Sequence, residues 1–183
     1  KVRIQKGSIS PFDHFFKKYA IEISWDWKLL AAVAFHESRF DSSQVSWAGA
    51  SGIMQLMPRT AANFGLTRKT MLNPEKNIEA GVQYIKSLNL TFRKINNKEE
   101  RIKFILAAYN SGPAHVLDAM ALAEKHGKNP HIWYRNVEYY LIKKSEPEFY
   151  NDPVVKYGRF RAKETVSYVN NTLETFHKYS GRH

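Results

Sequence analysis

Leu29-Leu30-Ala31-Ala32-Val33-Ala34-Phe35-His36-Glu37-Ser38 is an apolar run at helical length that ends on a carboxylate. Leu30, Val33 and Ala34 lie at i−7, i−4 and i−3 from Glu37, so Glu37 continues their face. A carboxylate that extends a buried stripe is desolvated, and here it sits near the negative end of the helix dipole. Both effects disfavour the anion and predict a raised pKa, which suits a general acid working near neutral pH. Taken alone, a Glu at this position reads as one that turns aside and pairs with Arg39 or another cation. From Arg39 to Gln55 the pattern breaks into small and polar residues, with Gly49 and Gly52. A loop of about 15 residues is long enough to suspect function.

Outward from that segment the chain reads as helix after helix. Ser10-Pro11-Phe12-Asp13 is a helix start, followed by Phe12, Phe15, Phe16 and Tyr19 at helical spacing. Ser24 is the expected cap of the helix from Trp25 to Ser38. Pro58 opens a short helix that Gly65 closes. Asn73-Pro74 opens a longer one with Ile78, Val82 and Ile85 inside. Ile102, Ile105, Leu106 and Tyr109 mark the next, which stops at Ser111-Gly112-Pro113. Val116 to His126 follows, then aromatic-rich Ile132 to Leu141, an irregular stretch from Lys143 to Tyr157, and a last helix from Phe160 to Tyr179. No segment alternates apolar and polar residues as a strand does. The fold class expected is all-α, in one domain spanning 10–183 behind a tail at 1–9.

Composition narrows the chemistry. The 183 residues contain no Cys, which excludes a disulfide framework, a Cys-ligated zinc and a Cys nucleophile. No apolar run approaches the roughly 18 residues of a membrane span, so no transmembrane segment is expected. The first residues are too polar for a signal peptide, so the chain is either cytosolic or the mature or excised part of an exported protein. Phosphate-loop, dinucleotide, HExxH and GxSxG motifs are all absent, and no metal or cofactor is implied. The net charge of +11 favours a polyanionic partner such as nucleic acid, an anionic membrane or an acidic cell-wall polymer. Basic residues at Arg93, Lys94, Lys98, Arg101 and Lys103 are mixed with Glu99 and Glu100, which reads as an exposed helix face and not a nucleic-acid stripe.

Three ordered motifs give the charge a partner. Glu37-Ser38-Arg39-Phe40 is followed by Ser46, then by Gly49-Ala50-Ser51-Gly52-Ile53-Met54-Gln55-Leu56-Met57-Pro58, and later by Ala107-Ala108-Tyr109-Asn110-Ser111-Gly112. This constellation resembles the catalytic domain of the lytic transglycosylases related to the soluble Slt enzymes, a goose-lysozyme-like family. The resemblance runs from about Pro11 to Tyr179. Asn73-Pro74-x-x-Asn77-Ile78-x-x-Gly81-x-x-Tyr84 is similar to the family's middle helix, and Glu164-Thr165-x-x-Tyr168-Val169 to its C-terminal signature. Tyr157-Gly158-Arg159-x-Arg161-x-x-Glu164 points to the membrane-bound F-type branch. There the catalytic domain follows an N-terminal domain similar to solute-binding proteins, so the chain resembles an excised, monomeric C-terminal half.

The resemblance implies a lysozyme-like helical domain with a substrate groove, acting in the periplasm or cell envelope on peptidoglycan glycan strands. It implies cleavage of the β-1,4 bond between N-acetylmuramic acid and N-acetylglucosamine with 1,6-anhydromuramoyl ends. The muramoyl C6 hydroxyl attacks its own C1, so no second carboxylate is needed to activate water. Ordinary glycosidases place two carboxylates roughly 5–9.5 Å apart. The 20 residues after Glu37 hold one acid, Asp41, which reads as a turn cap. By resemblance Glu37 is acid and then base, while Ser46, Gln55, Met57, Tyr109, Asn110, Tyr168 and Glu164 contact the substrate or steady Glu37. Met54 reads as core. Trp47, Trp133, Tyr134 and Tyr139 are either core or sugar-stacking platforms. The rival readings are a muramidase that uses water, a catalytically silent glycan-binding module, and a basic helical nucleic-acid binder.

Overall fold

The computed structural model describes residues 7–181. Nine α-helices occur among them, with a 3-10 turn at Ile21–Ile23 and a π-type turn at Trp133–Val137. The helices are α1 (Asp13–Ala20), α2 (Trp27–Ser38), α3 (Pro58–Asn63), α4 (Pro74–Thr91), α5 (Lys98–Ser111), α6 (Pro113–Lys125), α7 (Glu138–Lys143), α8 (Pro147–Tyr150) and α9 (Lys163–Tyr179). The described residues form no strand; two isolated bridges, Val45 with Ser51 and Ser51 with Leu56, pinch one loop. The all-α expectation therefore holds. No helix among the described residues is long and apolar enough to cross a membrane.

The backbone falls into two compact units, Lys1–Lys86 with Asn171–His183, and Ser87–Asn170. In the first, Leu29 through Ala34 are all buried, together with Phe16, Ile53, Met54, Ile78, Val82 and Ile85. The middle of helix α2, Leu29 to Ala34, is buried all round, as an apolar stretch of that length must be, while residues nearer its two ends are partly exposed. Its cap differs from the expectation: Asp26, not Ser24, accepts the Lys28 N–H at 2.9 Å. Ser24 instead closes the preceding 3-10 turn in a left-handed conformation. The first helix also starts later than Pro11. The Asp13 carboxylate reaches back to the N–H groups of Ile9 and Ser10, both at 2.8 Å, and so ties the preceding turn to α1. Of the expected tail, residues 1–6 lie outside the described residues.

In the second unit, Asn97 caps α5 by accepting the Glu100 N–H at 3.0 Å, and Pro113 opens α6 where a missing N–H costs nothing. Phe92, Phe104 and Trp133 pack in sequence through the core, tilted and then edge-on, with ring centroids 5.7 and 5.4 Å apart. The stretch expected to be irregular holds one short turn of helix, α8. The final helix begins at Lys163, later than the Phe160 expected, and residues 158–162 are not helical.

Candidate functional site

Glu37 stands half-buried in the last turn of α2. Helix α2 stops abruptly. Arg39 and Phe40 are both left-handed, with φ of 55° and 63°, a conformation that costs a non-glycine residue on the order of 1 kcal/mol or more. The surroundings enforce it. Arg39 donates its N–H to Phe35 O at 2.8 Å, and its guanidinium lies over the Phe35 ring at 4.5 Å. Phe40 packs against Phe35 and Phe16, at 5.7 and 6.1 Å between centroids. Arg39 is thus engaged with the Phe35 ring.

The loop that follows is stitched to this helix end. Ser38, buried, donates its hydroxyl to Ile53 O at 2.7 Å. The Gln44 amide reaches Glu37 O at 3.4 Å, and Gln44 O accepts from the Gly52 N–H at 2.9 Å and from Gln55 Nε2 at 3.0 Å. Gln55 is also left-handed, at φ 49°. Its NH2 group is used inside the loop, on Gln44 O and on Gly52 O at 2.8 Å. Ser46 Oγ accepts the Ala50 N–H at 3.0 Å. Asp41 accepts from the Ser43 N–H and hydroxyl, at 2.9 and 2.6 Å; the hydroxyl bond, then the backbone one, hold its carboxyl below the usual range. It is a turn cap. Met54 is buried and Met57 exposed, in line with core and surface roles respectively.

Asn77 organises this loop from beneath. Its Oδ1 accepts the Met54 N–H at 2.8 Å, and its Nδ2 donates to Ser51 O and Met71 O at 3.0 and 2.9 Å. Gly52 sits directly against it: a Cβ there would collide with the Asn77 amide and approach Met71 O. Sequence reading placed Asn77 only on the middle helix. Its hub role was signalled by nothing more than a polar residue on that helix's apolar face.

The second unit carries the other candidates. Tyr109 and Asn110 lie in the last turn of α5, and Asn110 Oδ1 accepts the buried Thr165 hydroxyl at 2.8 Å. That bond ties the Tyr-Asn motif to the first turn of α9. Glu164, beside Thr165, is exposed and makes no ion pair among the described residues. Tyr168, one turn further on, is buried. The aromatic candidates separate: Trp133 is fully buried core, whereas Trp47 is fully exposed in the turn at Ser46–Ala50. Sequence reading also missed a buried cluster. Lys144 Nζ, with no exposed surface, meets Asp118 Oδ2 at 2.7 Å and His115 Nδ1 at 2.9 Å.

A family model described as the transglycosylase SLT domain matches residues 14–132, which contain all three motifs. The chain belongs to the SLT transglycosylase domain family. Among its relatives, the membrane-bound lytic murein transglycosylase F of Klebsiella pneumoniae is 42% identical over 156 residues, covering 85% of this chain and 29% of that protein. The protein of the same name from Citrobacter koseri is 39% identical over 170 residues, covering 93% of this chain and 32% of its own length. The chain thus spans about a third of the length of these relatives. Among solved structures, the 70 kDa soluble lytic transglycosylase of Escherichia coli matches with a TM-score of 0.59 at 24% identity, over 93% of this chain and 25% of that one. An inactive mutant of the Slt enzyme from Pseudomonas aeruginosa matches with a TM-score of 0.57 at 20% identity, over 93% of this chain and 24% of that one. These two likenesses establish the SLT fold for this chain.

Proposed function

We propose that the chain is a peptidoglycan lytic transglycosylase domain that uses Glu37 as its single acid and base, acting in the periplasm or cell envelope. The observation that carries this reading is the carboxylate census at the end of α2. Glu37 stands in the last turn of a helix whose Leu29–Ala34 stretch is buried, the following loop is bonded to its backbone, and the one acid of that loop, Asp41, is bound into a turn. Most glycosidases that use water pair two carboxylates, and the loop after Glu37 offers no second one outside the Asp41 turn.

In this mechanism Glu37 gives its proton to the glycosidic oxygen as the bond from muramoyl C1 to that oxygen breaks. The muramoyl C6 oxygen bonds to C1, closing the 1,6-anhydro ring, and its proton passes to the Glu37 carboxylate. The catalyst is thereby regenerated without water. Gln55 Oε1 and the Ser46 hydroxyl hold sugar hydroxyls or acetamido groups, and Met57 and Trp47 offer apolar faces to the rings. Tyr109, Asn110, Tyr168 and Glu164 serve the same substrate, with Asn110 fixed by Thr165. Because the attacking hydroxyl belongs to the same sugar as C1, the step is intramolecular and needs no activated water. Family membership and the relatives' printed names support the class of reaction.

The test is a digest of purified sacculi by wild type and by Glu37→Gln, with products weighed by mass spectrometry. Products one water lighter than those of a muramidase, reduced about 1,000-fold or more in the variant, are expected. Hydrated reducing ends would overturn the one-carboxylate mechanism.

A further inference from the structure

The second unit holds a surface cavity of about 600 Å³ that no part of the proposed cleavage chemistry uses. Arg159, Arg161 and Lys163 line it, over a floor that includes Ile142, Ala162 and Val166. No carboxylate lines it, and none of the three cations forms an ion pair among the described residues. Three like charges gathered without a counter-charge repel one another, and an anion relieves that repulsion.

The cations are not on a slack loop. Asp118 accepts the Lys156 and Tyr157 N–H groups at 2.9 and 3.0 Å, while Lys144 O accepts the Phe160 N–H at 3.1 Å. The Phe160 ring stacks on His115 at 4.3 Å between centroids. Ala162 is buried, and the cations alternate with Phe160 and Ala162, so side chains two apart share a face. A buried ion pair contributes little net stability. What the Asp118–Lys144 pair does here is fix the backbone from 156 to 160, and with it the bearing of Arg159 and Arg161.

We propose that this cavity binds the carboxylates of a short peptide, and, resting on the proposed action on peptidoglycan, that the peptide is the acidic stem carried by the glycan strand. Guanidinium forks match carboxylates in bidentate geometry. The apolar floor suits short aliphatic side chains, and the volume lies within the range of small-ligand sites. A nucleic acid or lipid surface would instead call for a longer basic tract than three residues around one hollow.

The test uses the full chain and three probes: free stem tetrapeptide, peptide-bearing glycan strands, and strands stripped of stems by an amidase. The triple variant Arg159→Ala/Arg161→Ala/Lys163→Ala is expected to bind tetrapeptide at least about tenfold more weakly by calorimetry. It should cut peptide-bearing strands about tenfold less efficiently, and bare strands within about twofold of wild type. A control triple variant of exposed cations in the other unit, Arg68→Ala/Lys69→Ala/Lys76→Ala, removes the same net charge and should leave tetrapeptide affinity unchanged. Unchanged tetrapeptide affinity in the first variant, or equal weakening in both, overturns the proposal. If wild type cuts neither strand, the cleavage reading falls, and the tetrapeptide titration still decides the cavity.

Discussion

The loop after α2 and the segment after α7 solve one problem in two ways. Both are irregular backbone carrying side chains for which we propose a ligand, and each is pinned to a single buried polar residue. In the first the hub is Asn77, a neutral amide with three hydrogen bonds to loop backbone. In the second it is Asp118, a carboxylate that holds two backbone N–H groups and a buried ammonium. A neutral hub depends on shape, because its bonds fail when the loop cannot approach. A charged hub depends on its counter-ion, because either charge alone is intolerable in the interior. The two regions should therefore break under different substitutions.

The largest effect is expected at the charged hub. Asp118→Ala strands Lys144 as an unpaired buried cation and should cost about 3–5 kcal/mol, read as a fall in the urea midpoint. Replacing both partners, as Asp118→Leu with Lys144→Met, should cost clearly less than Asp118→Ala alone. If the double variant is as unstable as the single, the charges are not what holds the segment.

At the neutral hub the sensitive position is a glycine. Gly52→Ala drives a methyl into the Asn77 amide and requires a left-handed alanine at φ 81°. Overpacking and backbone strain together should cost about 3 kcal/mol. Gly65, which follows α3, has the same φ of 81° with nothing within 4 Å of its would-be Cβ. Gly65→Ala should therefore cost only about 1 kcal/mol. Equal losses at the two glycines would mean that conformation, and not the approach to Asn77, decides the loop. Gly52→Ala should also slow sacculus digestion more than its stability loss explains, since it displaces the loop that carries Gln55.

Much of this arrangement was legible in the sequence. The helical spacing of α2, the Pro-led starts of α3 and α4, and the stop at Gly112 follow from local chemistry. So does the loop, because Gly49 and Gly52 interrupt an otherwise apolar pattern. Helix α6, by contrast, starts at Pro113, three residues before the Val116 expected. The caps were less legible. Ser24 and Asp26 are both good cap residues two positions apart, and the 3-10 turn that uses Ser24 leaves the cap to Asp26. The strain at Arg39, Phe40 and Gln55 was not legible, because nothing in a non-glycine residue announces a left-handed φ that tertiary packing enforces. Nor was the Asp118–Lys144–His115 cluster. Its members are far apart in sequence, and Lys144 reads as one more surface lysine at the end of an amphipathic run. Trp47 and Trp133 look alike in the sequence, and only the fold makes one a core residue and the other a solvent-facing ring.

The smallest expected effect, and the one that separates the hubs most cleanly, is pH. His115 is held below its ordinary pKa, first by burial and then by the neighbouring Lys144 ammonium, against a smaller opposing pull from Asp118. The unfolded chain therefore binds a proton at His115 more readily than the native one. Its contribution is fully present above the unfolded value of about 6.5, and is lost as pH falls through the lower folded value. Protonation would also place a second cation 2.9 Å from Lys144 Nζ, so the segment after α7 should loosen in mild acid. His36, on α2, is likewise lowered, by burial and then by Arg39, but it bonds to Thr175 and not to the loop hub. Hydrogen exchange followed from pH 7 to pH 5 should thus show the N–H groups of Lys156, Tyr157 and Phe160 losing protection, while those of Gly52 and Met54 keep it. His115→Asn, which cannot take up the proton, should flatten the first response. Equal loss in both loops would show that acid acts through His36 or through global unfolding, and the charged hub would then have no private sensitivity to pH.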